Sequence, residues 1–214
     1  MGKFLQAVGG LVFLVLVVAY FIGAVVPTLL PDDNGKTRTA MLTPEQTAQL
    51  KELLKQPDAE AEFVKAVVDG QLAFNGTTDD FRRGATRPAR KQAICSLALS
   101  RNPVAQDWIG RVSTRTTNSD GKGVLGVTLA PNVAATTWNN DLSDIGSKTL
   151  IEPGNPMFEA MGAVQKGDWV RFSGRFFTAT SDCLTEKSMT LRGSMTDPDF
   201  LFSFERLEAI PLAN

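Results

Sequence analysis

The chain has 214 residues, sets 22 Lys and Arg against 23 Asp and Glu, and contains no histidine. The missing imidazole excludes Ser-His-Asp and Cys-His nucleophile systems and histidine metal sites. The balanced charge excludes a global electrostatic attraction to nucleic acid or anionic lipid.

From Phe4 to Pro31 there is no charged residue in 28 positions, and Leu11 to Gly23 is apolar on every helical face. A bilayer core ~30 Å thick needs about 20 apolar residues as helix, so residues 1–31 are expected to be a transmembrane anchor, with residues 4–30 in the lipid bilayer. A cleaved signal peptide is the alternative, but its apolar region would be about 7–15 residues long and followed by small residues. Lys3 on one side against Lys36 and Arg38 on the other nearly balances the positive-inside rule. The three-residue head resembles an ordinary export signal. The expectation is a single-pass protein of a bacterial inner membrane, with its C-terminal domain in the periplasm of the cell envelope.

Residues 32–74 read as a linker and a helical hairpin. Asp32-Asp-Asn-Gly35 marks a turn, and Thr43-Pro-Glu-Gln46 reads as a capping box with Pro44 at the first helical position. Leu50, Leu53 and Leu54 share a face up to Pro57. A second helix is expected over Asp58–Asp69, with Phe63, Ala66 and Val67 on one side and Gly70 as its stop. Residues 75–102 read as a basic connecting segment, of which 75–91 have little apolar periodicity. Arg82, Arg83, Arg87, Arg90 and Lys91 there form either a patch for phosphate or anionic headgroups or a solvated loop partly neutralised by Asp79 and Asp80.

Cys95 and Cys183 lie 88 positions apart. In an oxidising compartment they would close a loop worth ~4 kcal/mol in the chain-entropy account; in a reducing one they would be buried thiols. No CxxC spacing accompanies them, so no metal site is expected, and no cofactor is called for.

From Gln106 onward the period changes from helical to two. Strands are expected over Asp107–Arg115, Gly123–Ala130 and Ala135–Asn139, then a helix from Asn155-Pro156 through Met157, Phe158, Met161 and Val164. Strand character returns at Asp168–Phe177, with Val170, Phe172 and Phe176 inward, and continues at Glu186–Met195 and Phe200–Leu207. Three strands, a helix and two strands resemble the OB-fold, a five-stranded Greek-key barrel. Gly167-Asp168-Trp-Val-Arg-Phe-Ser-Gly174 is similar to the entry into its fourth strand. Gly110 and Gly174 would let the sheet coil. The fold class expected is therefore an anchor, a helical stalk and, over 103–214, an OB-like barrel with a helix between its third and fourth strands and an additional C-terminal strand.

The resemblance implies a binding surface on strands two and three and the adjoining loops. Here that selects the Asn118–Lys122 loop, Trp138 and the Thr178–Glu186 loop. Trp138, Asn139 and Asn140 read either as a stacking and hydrogen-bonding cluster for a sugar or peptide or as local turn chemistry. Arg111, Arg115, Arg171, Arg175 and Arg192 fall on outward faces. From Pro103 onward acidic residues outnumber basic ones, against the positive stacking groove that single-stranded nucleic acid needs. The leading expectation is a noncatalytic, tethered binding module for a protein, a glycan or a second copy of the chain. The runner-up is a cytoplasm-facing binder of nucleic acid or anionic lipid. An enzyme would have to rest on Asp168, Glu186 or Cys183 without an evident base.

Overall fold

A computed structural model of the chain describes residues 29–31, 37–39, 44–180 and 182–211. Of the apolar run expected to span a membrane, only its end, Leu29–Pro31, lies among them, and it forms a strand, β1. Pro31 disfavours helical backbone at the residue before it. β1 pairs antiparallel with β2, Thr37–Thr39, at the two ends of the expected polar linker, whose Asp32–Gly35 turn lies outside the described residues. No helix among the described residues is long and apolar enough to cross a membrane. Helix α1, Pro44–Leu53, starts at its proline as expected. These elements fall in one compact unit up to Lys55; residues Gln56–Pro211 form the other.

The second unit is mainly β. Its five principal strands are β3 (Val104–Thr117), β4 (Gly123–Ala130), β5 (Val133–Thr136), β6 (Trp169–Phe176) and β9 (Asp199–Ala209). They close into a barrel in the order β3-β4-β5-β9-β6, with β6 returning to β3. Every pairing is antiparallel except β5 with β9, which runs parallel through Ala134↔Asp199, Ala135↔Phe200 and Thr136↔Leu201. Period-two alternation places Phe172, Phe176, Phe200 and Phe202 in the core. Gly174 stands where β6 shifts register against β9; a Cβ there would lie 2.1 Å from the Ser203 carbonyl oxygen.

The strand expected over Glu186–Met195 does not form. Glu186 makes one isolated bridge to Phe200, and Leu191–Thr196 is a helix, α6, whose Thr190 cap accepts from the Gly193 N–H at 3.0 Å. The spacing of four between Leu191 and Met195 is helical, and Met195 is buried while Met189 is fully exposed. The fifth barrel strand is instead β9, which the sequence presents as an addition. Before it, β7 (Thr178–Ala179) and β8 (Cys183–Leu184) make a small hairpin. The helix α5, Pro156–Gly162, is capped by Asn155 and buries Met157 and Met161.

Helix α2, Asp58–Asn75, inserts Phe63 among the barrel aromatics: its ring centroid lies 5.5 Å from Trp108, 5.3 Å from Phe176 and 4.9 Å from Phe200. The helix does not stop at Gly70. That residue is interior and buried, and a Cβ there would lie 2.7 Å from Cγ and Cδ of Arg90. Arg90 belongs to α3, Asp80–Ser96, which occupies the segment read as a polar loop. Asp79 caps α3 through the Arg82 N–H at 2.8 Å. Its inward face buries only Arg90 and Ile94, so an apolar period is absent although the helix packs.

Glu60 ties α2 to β3. Its Oε2 accepts from the Ile109 N–H at 2.8 Å and its Oε1 from Gln56 at 2.7 Å, in full burial. Burial pushes its carboxyl up to about 8, against the opposing hydrogen bonds and the Arg171 charge. At neutral pH the folded chain therefore holds this proton and the unfolded chain does not.

Two predictions follow from α2. Gly70→Ala, a change that adds ~1 kcal/mol of stability in an open helix, is expected here to cost ~1–3 kcal/mol by crowding Arg90; a raised urea midpoint would contradict the packing. For Glu60 the folded value lies above the unfolded one, so its stabilisation is whole below about pH 4.5 and is lost as pH rises through about 8. Unfolding free energies from urea titrations taken at each pH unit across that window are expected to decline at up to ~1.4 kcal/mol per unit, and Glu60→Gln to flatten the decline. Parallel profiles would rule the assignment out.

Candidate functional site

The β3–β4 turn is organised by Asn118, whose Oδ1 accepts from the N–H groups of Asp120 (3.0 Å) and Lys122 (2.9 Å). Its Nδ2 donates to Asp141 Oδ2 at 2.6 Å, joining the turn to the segment after β5. Lys122 adds a second tie, with Nζ 2.6 Å from Asp141 and 3.0 Å from Glu152. Hydrogen bonding to Asp141, and then to Glu152, holds the Lys122 ammonium well above its ordinary range, and Lys122 draws Asp141 down.

Asp141–Asp144 is a single helical turn, α4, capped by Asn140 through the Ser143 N–H at 2.9 Å. The following loop wraps around buried Asp144, which accepts from the Thr149 N–H (2.6 Å), the Thr149 hydroxyl (2.7 Å) and the Leu150 N–H (3.0 Å). Lys148 is held in this loop at φ 52°, its N–H bonded to the Asp144 carbonyl at 2.9 Å. Its side chain is exposed and has no ion-pair partner among the described residues. Between this loop and the β3–β4 turn opens a cleft of about 610 Å³, within the size range of small-molecule sites. Ile145 lines it while 72 % exposed, and Leu150 and Asn155 complete the wall.

Trp138 borders the same loop. Its backbone N–H donates to Thr149 Oγ1 at 2.8 Å, its indole N–H to Ser147 Oγ at 3.4 Å, and the Lys187 ammonium lies 5.7 Å from its ring centroid. Lys187 also donates to Thr136 Oγ1 (3.1 Å) and the Thr137 carbonyl (2.9 Å), and burial lowers its pKa. Asn139 and Asn140 are exposed and joined by a 2.9 Å hydrogen bond, with Asn140 acting as the α4 cap. Arg111 donates to the Gly167 carbonyl at 2.6 Å, Arg171 donates to the Asp107 carbonyl at 3.2 Å, and Arg175 is exposed; none of the three lines the cleft.

The structure divides the basic segment among separate tasks. Arg82 is exposed and Lys91 half-buried. Arg83 donates to the Thr77 carbonyl at 2.7 Å and stacks 5.6 Å from the Phe74 centroid. Arg87 pairs with Asp182 at 2.7 Å. Arg90 is buried, paired with Glu186 and bonded to the Ser194 carbonyl; burial lowers Arg90 and raises Glu186. Beside these pairs Cys95 of α3 is disulfide-bonded to Cys183 of β8, with Cα atoms 5.5 Å apart. Asp168 accepts from the Gln165 N–H at 2.8 Å within a turn.

Sequence reasoning selects the Asn118–Lys122 loop and Trp138 but misses Ile145, Lys148 and Glu152. The one local signal was Asn140 as a cap ahead of Asp141-Leu-Ser-Asp144; the pairing of Lys122 with Asp141 and Glu152 is non-local and leaves no period. No family model matches the chain, and no curated protein or solved structure matches it either.

Asp144→Ala is expected to lower amide-exchange protection at Thr149 and Leu150 at least ~10-fold, while central β4 amides keep theirs, because three donors lose one acceptor in a local unit. Unchanged exchange at both amides would show that the loop does not depend on this carboxylate.

Proposed function

We propose that this protein is a noncatalytic binding module, an OB-like barrel tethered to a bacterial inner membrane through residues 4–30 and exposed in the periplasm. The observation that carries the reading is the Cys95–Cys183 bond, because such bonds persist in oxidising compartments. The apolar run from Phe4 supports the tether. The strand order and the parallel β5–β9 pairing support the OB-like assignment, and the cleft beside the β3–β4 turn lies next to one of the loops that such barrels use for ligands.

The residues an enzyme would need have structural partners: Cys183 is oxidised, Glu186 faces Arg90 and Asp168 closes a turn. A nucleic-acid reading loses Arg87 and Arg90 to ion pairs with Asp182 and Glu186. The partner class favoured is a protein or glycan segment.

Fusing the C-terminus to a reporter active only after export, and separately to one fluorescent only in the cytoplasm, tests the topology. Export activity is expected, together with maleimide labelling of the chain only after reduction. Cytoplasmic fluorescence with two labelled thiols would overturn the proposal. Cys95→Ser is expected to cost ~2–5 kcal/mol of stability in urea unfolding under oxidising conditions.

A further inference from the structure

We propose that the cleft between the β3–β4 turn and the α4 loop binds short zwitterionic peptides, with Lys148 holding the peptide carboxylate and Glu152 facing its ammonium group. The proposal gives the binding reading above a ligand class, and rests on it only in treating the domain as a binder.

The charged groups of the cleft have different roles. Asp144 is closed in by three donors from its own loop. Lys122 is enclosed between Asp141 and Glu152. Lys148 remains the cation turned to solvent, and Glu152, 63 % exposed at its side chain, remains the carboxylate with the most open surface. The cleft is therefore lined by one cation without an ion pair among the described residues and one half-open carboxylate already paired on one side with Lys122, together with the apolar Ile145 and Leu150.

Charge selects among ligands. Lys122 and Lys148 stand against Asp141, Asp144 and Glu152, leaving the lining one unit negative. A phosphate or polyanion would meet net repulsion, whereas a ligand carrying one carboxylate and one ammonium is accommodated at both ends. An apolar side chain between them would cover Ile145, whose 72 % exposure leaves most of its surface in water.

The backbone of Lys148 points the same way. At φ 52° it occupies the left-handed region in the loop that follows α4, a conformation that glycine or asparagine takes without strain. Lysine stands there at a conformational cost, and its ammonium makes no ion pair among the described residues. A residue that strains the backbone and gives nothing to packing has its use in what it meets from outside.

Isothermal titration of the full-length, detergent-solubilised chain tests this with tripeptides carrying Leu, Val or Phe between two alanines. Each is used with both termini free, N-acetylated, and as the C-terminal amide. At least one free form is expected to bind saturably, with either block weakening binding ~10-fold or more. Lys148→Asn, which suits the left-handed backbone and so keeps or raises the thermal midpoint, is expected to lose the discrimination between acid and amide. If no free tripeptide binds, if blocked and free forms bind alike, or if Lys148→Asn discriminates as the unsubstituted chain does, the proposal falls. The blocked-peptide comparison needs no variant, so it decides even where a substitution perturbs folding. A cytoplasmic C-terminus in the topology experiment would overturn the proposed function while leaving this titration to stand by itself.

Discussion

Phe63 is the residue on which the arrangement of this domain depends. A barrel of five strands leaves an apolar interior open at its ends, and Phe63 fills one of them from α2, within 5.5 Å of three other aromatic centroids. Aromatic pairs at such distances add roughly 0.5–1.5 kcal/mol each beyond the area they bury. Once Phe63 is seated, Glu60 one turn earlier meets the Ile109 N–H and Gly70 two turns later meets Arg90. Arg90 fixes α3, and α3 holds the β7–β8 hairpin through Asp182, Glu186 and Cys183. The loop leading out of that hairpin lays Lys187 on Trp138. A continuous run of contacts thus joins the plug at the barrel end to the outer edge of β5.

The weakest link in that run is polar. Arg90 and Glu186 are both withdrawn from water, and Arg90 Nε, Glu186 Oε2 and Ser194 Oγ find no partner among the described residues. Desolvation of a buried pair consumes most of its Coulomb attraction, so the pair is better understood as setting the seat of α3 than as adding stability. A misplaced helix would leave a buried charge alone, at several kcal/mol. The disulfide, which needs no particular dielectric, holds the same two segments together.

Two strands were legible from sequence and fall within a residue or two of their expected bounds: β6 by the alternation of its apolar and polar positions, and β4 as a short run buried on both faces, with Gly, Asn and Asp punctuating their ends. The role of β9 was not legible. Its partner β5 is remote in sequence and parallel to it, and no local pattern encodes a parallel neighbour. Glu186–Met195 looked like the missing strand because Met189, Leu191 and Met195 are all apolar. Only Met195 is buried, however, and Thr190 supplies a cap. Helix α3 escaped notice for the opposite reason, since an arginine stem and one isoleucine give a buried face without a hydrophobic period. The cleft was half legible: Asn118 and Trp138 announce a turn and a strand end, whereas Lys122 of the β3–β4 turn meets Asp141, Lys148 and Glu152 of the β5–β6 connection only in the fold.

The parallel pairing of β5 and β9 also orders the making of this domain in time. Both strands must wait for nearly the whole chain, since β9 is the last strand and carries the barrel's closing register. Until it docks, β5 is an unpaired edge of four apolar and hydroxyl residues beside an exposed aromatic interior, the condition in which β-rich chains fold slowly and associate wrongly. Cys183 precedes β9 in the chain, so its bond with Cys95 ties the start of the last connection to α3 without waiting for the final strand to dock.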